Sequence, residues 1–276
     1  MITDPEGVQF LQWCLPRLRL VWPGFRKVRR QVYKRINRRL QELKLPNVDT
    51  YRDYLESHPA EWTTLDALCW ISISRFYRDR SVFQYVGTEV LPQLAQRVSR
   101  DHEKGLRSWS AGCAGGEEPY TLAIIWRQCL ASRYPTLEFR VLTTDVDPQA
   151  IQRAQRGCYR LSSMKELPAE WRTQAFVDSG EAFCLKDEYR TAVAFKVQDI
   201  RETMPQGAFH LVLWRNLVFT YFDETAQREV LRRLTNKLVP GGALVIGQIE
   251  SLPQGQSEVE PWSARMGIYR RADLKS

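Results

Sequence analysis

The feature that most constrains this chain of 276 residues is a change of pattern near residue 100. Before that point, apolar residues recur at three- and four-residue steps. After it, short runs rich in β-branched and aromatic residues alternate with helical stretches. Helical periodicity covers residues 25–45, 51–57, 62–70 and 82–97. Residues 1–100 therefore read as an all-helical domain, and the polar run 99–105, ending in Gly105, reads as the linker to a second domain over 101–276.

In that second domain, strands are expected over residues 106–113, 139–144, 193–197, 211–214 and 243–247, with helices over 117–131, 147–156 and 224–238. Strand–helix alternation of this kind implies an α/β fold with a mostly parallel, doubly wound sheet covered on both faces. A small antiparallel hairpin insertion is expected at about 176–197, its arms being 182–185 and 193–197 around a charged centre.

Charge narrows the partners. The formal net charge is +8, and the excess gathers in residues 25–45, where Arg26, Lys27, Arg29, Arg30, Lys34, Arg35, Arg38 and Arg39 precede the first acid, Glu42. Phe25, Val28, Val32, Ile36, Leu40 and Leu43 form one apolar stripe, which leaves a broad cationic face. A helix with so few interleaved acids gains little from i,i+4 pairs and suits an acidic partner, with nucleic acid not excluded. No apolar stretch approaches the ~20 residues of a membrane span and no secretory leader is evident, so membrane insertion is not expected and a cytoplasmic location is. The six cysteines contain no C-x-x-C pair and there are only three histidines, which argues against a zinc site and a disulfide framework.

The first strand of the second domain ends in Trp109-Ser110-Ala111-Gly112-Cys113-Ala114-Gly115-Gly116-Glu117-Glu118, a turn of small residues entering a helix. Doubly wound sheets bind ligands beyond the carboxyl ends of their strands, and small residues there let backbone approach the ligand. A phosphate-binding turn would offer bare N–H groups and often a lysine. Glu117 and Glu118 suit a cationic, phosphate-free ligand instead, and S-adenosylmethionine is one. The second strand ends at Asp145, placed to accept from ribose hydroxyls, while Asp147 reads as a helix cap. The third ends at Gln198-Asp199-Ile200, with Asp199 able to take an adenine amino group, and the fourth at Arg215-Asn216-Leu217.

With Ile73-Ser74-Arg75-Phe76-Tyr77-Arg78-Asp79, Leu161 to Pro168, Tyr221-Phe222-Asp223 and Pro240-Gly241-Gly242, these segments form an ordered series that resembles the CheR-type chemotaxis protein-glutamate O-methyltransferases from about residue 20 to 271. The resemblance implies a class I (Rossmann-like) methyltransferase sheet and S-adenosyl-L-methionine as cofactor. It implies cofactor contacts from Ser72, Ser74, Arg78, Gly112, Glu118, Asp145, Asp199, Ile200, Asn216 and Leu217. Arg78 suits the cofactor carboxylate bidentately. Ser72 and Ser74 replace the family's usual Asn and Thr. Trp214 replaces a common cysteine, residues 216–221 run one residue longer than usual, and Gly247-Gln248-Ile249-Glu250 replaces a Gly-His-Ser-Glu.

The implied reaction forms methyl esters on glutamates of an acidic protein such as chemoreceptor cytoplasmic helices. A glutamate with a pKa of about 4.3 is ionised at neutral pH, so no general base is needed. Tyr221 would orient the incoming carboxylate and Arg97 would help attract it. Two other readings stay open: a stand-alone methyltransferase for a different protein, RNA or small molecule, and a non-catalytic cofactor-binding adaptor.

Overall fold

Strand-forming runs after residue 100 assemble into one seven-stranded sheet, which a computed structural model of the chain shows together with the helices; residues 1–272 are described. Its strands are β1 (Gly105–Ala111), β2 (Glu138–Asp145), β6 (Val193–Val197), β7 (Phe209–Trp214), β8 (Leu238–Ile246), β9 (Val259–Ser263) and β10 (Ile268–Arg271). Three short strands, β3 (Cys158–Tyr159), β4 (Phe176–Asp178) and β5 (Phe183–Leu185), form a separate antiparallel sheet. The large sheet has the order β6-β2-β1-β7-β8-β10-β9. Its first five members are parallel, and β10 runs antiparallel between β8 and β9.

Burial explains the composition of these strands. All six residues of β7 are buried, as a central strand covered on both faces requires. The order reverses between β1 and β7, since the chain adds β2 and β6 on one side before returning to place β7 on the other. That reversal opens a crevice beyond their carboxyl ends, the place where such sheets bind ligands.

The sequence differs from this picture in three places. Residues 193–197 pair in parallel with β2 as the edge of the large sheet, so they are not an arm of the small hairpin; β5 pairs with β4 and β3 instead. Val193 to Val197 alternates too weakly for pattern alone to choose between two neighbours. The compact units divide between Ile71 and Ser72, and segment 217–227 belongs with the first unit. The helical run from Arg80 to Arg100 packs Val82, Phe83, Val90, Leu94 and Val98 into the same core as Leu106 and Ile124, which is why it counts with the sheet. Finally, although the cysteine spacing argues against a disulfide framework, Cys158 and Cys184 stand opposite each other in β3 and β5 and form a disulfide. Only the antiparallel pairing brings these cysteines together, across 26 residues of sequence.

The first unit is built from helices Asp4–Cys14, Arg29–Leu43, Val48–Ser57 and Glu61–Leu68. Asn47 caps the third of these by accepting from Thr50 N–H at 3.0 Å. Along Arg29–Leu43, Val32, Ile36 and Leu40 are buried at i, i+4 and i+8, each stabilising the unit by roughly 1.5–3 kcal/mol. The cations of this helix divide by function. Arg29 pairs with Asp4, Arg35 donates to the Leu68 and Trp70 carbonyls, and Arg39 grips the buried Glu61 with two parallel bonds of 2.9 and 2.8 Å. Arg26, Lys27, Arg30, Lys34 and Arg38 remain exposed. Among the described residues no helix is long and apolar enough to cross a membrane.

Candidate cofactor site

The turn after β1 is shaped by its neighbour. Gly112, Ala114 and Gly116 all take positive φ, at 74°, 49° and 89°. For Ala114 this is a left-handed conformation that a Cβ disfavours, and it persists because surrounding contacts hold it. Asp145, at the end of β2, supplies one of them: its Oδ2 accepts the Ala114 N–H at 2.8 Å, and its Oδ1 accepts the Asp147 N–H at 2.9 Å. The Thr144 carbonyl takes the Gly112 N–H at 2.8 Å. Burial pushes the Asp145 carboxyl up from its ordinary range, and these two N–H donors pull it back toward the ionised form. Asp145, expected at this strand end as a ligand acceptor, thus also fixes the turn.

The helix entered from this turn, Glu117–Ile125, is buried at every residue but Glu118. Its two leading acids have different surroundings. Glu118, the one expected to face the cofactor, accepts from Ser110 Oγ at 2.8 Å through Oε1 and from Arg215 Nη1 at 3.1 Å through Oε2. Glu117 is 8% exposed and its Oε2 is buried with no hydrogen-bond partner. Burial raises its pKa, while its own backbone, the Ser74 hydroxyl and Arg153 favour the charge. A buried carboxylate oxygen lacking a donor is costly by itself and suits a ligand that brings one. Consecutive helix residues differ by about 100° around the axis, so a one-residue ambiguity in sequence becomes two separate environments.

A second unpartnered acceptor lies after β6. Gln198 is buried, donates its Nε2 to Thr203 at 2.9 Å and leaves Oε1 without a partner. Its backbone N–H is held by the Asp145 carbonyl at 2.9 Å. The neighbouring Asp199, expected to take an adenine amino group, binds Arg201 through backbone N–H, Nε and Nη2 at 2.7 to 3.1 Å. Ile200 beside it is buried.

Beyond β7, Asn216 adopts φ 55°, and its N–H donates to Glu250 Oε2 at 2.8 Å. The same oxygen accepts the Gly247 N–H at 2.6 Å, so Glu250 joins the ends of β7 and β8. Trp214, read in sequence as a change on the substrate side, is fully buried against Trp109 and fills core volume. On the other side of the turn, Ser72, Ser74 and Arg78 are partly exposed, and Arg78 Nη1 donates to the Ile73 carbonyl at 3.2 Å.

The two groups expected at the reacting centre are Arg97 and Tyr221. Arg97 sits in the last turn of Leu91–Arg100, paired with Asp101 at 3.6 Å. The chain then enters β1 at its amino end, some seven residues before Gly112. Arg97 thus belongs to the helix that leads into the amino end of β1, whereas the turn follows its carboxyl end. Leu217 and Tyr221 belong to the first unit. There Tyr221 ends the short helix Val218–Tyr221, packs edge-on against Phe25 at 5.1 Å, and gives its carbonyl to the Val21 N–H at 2.8 Å.

The site thus offers buried acceptors at Glu117 and Gln198, a half-buried one at Asp145 and a cation at Arg78. That donor-poor cradle fits a ligand carrying an ammonium, ribose hydroxyls, an amino purine and a carboxylate. Residues 72–268 match the family described as CheR methyltransferase, SAM binding domain, and residues 27–66 match CheR methyltransferase, all-alpha domain. The chain is 32% identical to a chemotaxis protein methyltransferase of Listeria innocua over 67% of this chain and 68% of that one. It is 31% identical to a chemotaxis protein methyltransferase of Salmonella typhimurium, over 81% of this chain and 76% of that one. It is also 31% identical to an uncharacterized 104.1 kDa protein of Rhodobacter capsulatus, over 87% of this chain but only 25% of that much longer one.

Proposed function

Because this chain belongs to the CheR methyltransferase family, we propose that it uses S-adenosylmethionine to form methyl esters on glutamate side chains of an acidic protein, the cytoplasmic helices of chemoreceptors. The observation that carries the cofactor side is the buried, unpartnered Glu117 Oε2 beside the strained turn 112–116. The name shared by the curated relatives supports the acceptor.

When bound, the cofactor supplies a methyl carbon activated by its sulfonium. The chain's own residues do the rest. Glu117 and Asp145 are the acceptors for ammonium and ribose, Gln198 and Asp199 serve the adenine end, and Gly112 gives the backbone clearance. Ser72, Ser74 and Arg78 complete the set, with Arg78 holding the carboxylate. An ionised glutamate attacks without a general base. That agrees with His210, which is buried within β7 and accepts the Arg107 N–H at 3.1 Å. Fixing the reacting groups in line supplies several kcal/mol, about 7 or more where alignment is good. Tyr221 orients the incoming carboxylate in this reading, and Asn216 and Leu217 border the transferred methyl.

Exposed Arg30, Lys34 and Arg38 recur at four-residue steps on one helix face and attract an acidic substrate, raising the association rate in a salt-dependent way. The reaction takes place in the cytoplasm.

The test is methyl transfer from tritiated cofactor to purified receptor cytoplasmic fragments, with total RNA as the competing acceptor, followed by alkali. Carboxyl methyl esters release methanol under these conditions, whereas N-methyl groups do not. Alkali-stable label, or label in RNA alone, overturns the acceptor. Tyr221→Phe is expected to lower kcat with little change in cofactor affinity.

A further inference from the structure

Arg215 is among the most enclosed charges in the chain, its side chain only 2% exposed. From the end of β7 its Nη1 donates to Glu118 Oε2 at 3.1 Å. Its Nη2 donates to the Asp79 carboxylate at 2.6 Å and to the Arg78 backbone carbonyl at 3.0 Å. The guanidinium plane lies over the Phe83 ring, 4.9 Å from its centroid. One side chain thus ties three stretches of sequence: the loop before the helix at Arg80, the start of the helix at Glu117, and the switch-point strand.

The loop it grips is costly to hold. Tyr77 and Asp79 flank Arg78, and both are non-glycine residues with positive φ, 59° and 62°. Such residues persist only where contacts over-determine them. Phe76 is anchored by its N–H on the Ser163 carbonyl at 2.9 Å, and Tyr77 by its N–H on Thr121 Oγ1 at 3.1 Å. The Arg78 carbonyl and the Asp79 carboxylate are held by Arg215. Arg78 itself makes one exposed bond to the Ile73 carbonyl, so its guanidinium is placed by its backbone.

We infer that Arg215 is a positioning residue for cofactor binding: by clamping the Arg78 carbonyl and Asp79 against Glu118, it fixes where Arg78 presents its guanidinium to the cofactor carboxylate. This rests on the reading that Arg78 holds that carboxylate. A rigid fork with several donors is needed, because a lysine offers one point charge and cannot serve three acceptors in fixed directions.

The experiment compares two ligands by calorimetry. S-adenosylhomocysteine carries the amino-acid carboxylate; 5′-methylthioadenosine keeps the adenosine part and lacks it. Arg215→Lys is expected to lower affinity for the first by about tenfold or more and to leave the second within about twofold. Arg78→Gln should show the same selective loss, and the double variant should be no weaker than the worse single one, since the two act as a unit. Asp79→Asn keeps a residue tolerant of positive φ and removes the charge from one clamped group. It should give a smaller loss of the same selectivity, and it serves if Arg215→Lys does not fold. Equal losses for both ligands in Arg215→Lys and Asp79→Asn overturn the inference, as does unchanged S-adenosylhomocysteine affinity in both while Arg78→Gln is weakened. Unchanged affinity in Arg78→Gln overturns the reading of Arg78 itself.

Discussion

Gly115 lies beneath the Glu117 carboxylate: a Cβ built on Gly115 would stand 2.7 Å from Glu117 Oε2. The absent side chain makes room for a charge that the first turn of the helix could not otherwise bury at that angle. Gly115→Ala is therefore expected to push the carboxylate aside and weaken S-adenosylhomocysteine binding by about tenfold, near 1.4 kcal/mol. Titration calorimetry reads it, and an affinity equal to that of the unaltered chain would count against Glu117 as a ligand acceptor.

Burial raises the Glu117 carboxyl above its ordinary 4.5 and the Asp145 carboxyl above its ordinary 3.8. A raised folded-state pKa contributes stability that is present below the unfolded value and lost as pH rises through the folded one. In the unliganded protein these acids therefore keep their protons to a higher pH than free carboxyls do, and a ligand that donates to them favours ionisation. Binding should release protons, and affinity should climb as pH rises from about 4.5 through the raised value. Glu117→Gln should flatten that climb. Calorimetry in buffers of different ionisation heat measures the proton count; net uptake in the unaltered chain is the contrary result.

Asp145 serves both the turn and the proposed ligand, so its removal should show twice. Asp145→Ala leaves the Ala114 and Asp147 N–H groups without their acceptor. A loss of roughly 1–3 kcal/mol in urea unfolding is expected from these unsatisfied, partly buried donors, together with the disappearance of methyl labelling. Full labelling by this variant is incompatible with the site.

Gly116 and Gly180 separate backbone strain from crowding. Both take positive φ, 89° and 87°, but a Cβ on Gly116 would lie 2.8 Å from Ala154 Cβ, whereas nothing stands within 4 Å at Gly180. Gly180→Ala should cost about 1 kcal/mol of stability and Gly116→Ala at least about 1 kcal/mol more. Equal midpoint shifts in urea would mean that helix 148–156 moves away freely.

The sites of Asp145, Gly112 and the Glu117-Glu118 pair could be located from sequence because each follows directly from where a strand ends, and strand ends are set by local pattern. The roles of individual side chains could not. Glu118 is the acid that resembles the family ligand as readily as Glu117, yet it is drawn to Arg215, nearly a hundred residues away. Arg97 resembles a steering cation until its helix is seen to lead into the amino end of β1. The cysteine pair in β3 and β5 and the edge position of β6 depend on strand register, which no local signal encodes.

What the chain's order of residues determined alone was its two-part grammar, the alternation that makes a doubly wound sheet, and the motif series that marks its family, since periodicity and spacing are local properties. The tertiary structure alone decided which of two adjacent acids keeps a buried oxygen without a donor, which arginine is buried as a clamp, and which cations of the basic helix stay exposed. Those outcomes depend on partners distant in sequence, and the cost of leaving a buried charge or hydrogen-bonding group unpaired selects among them.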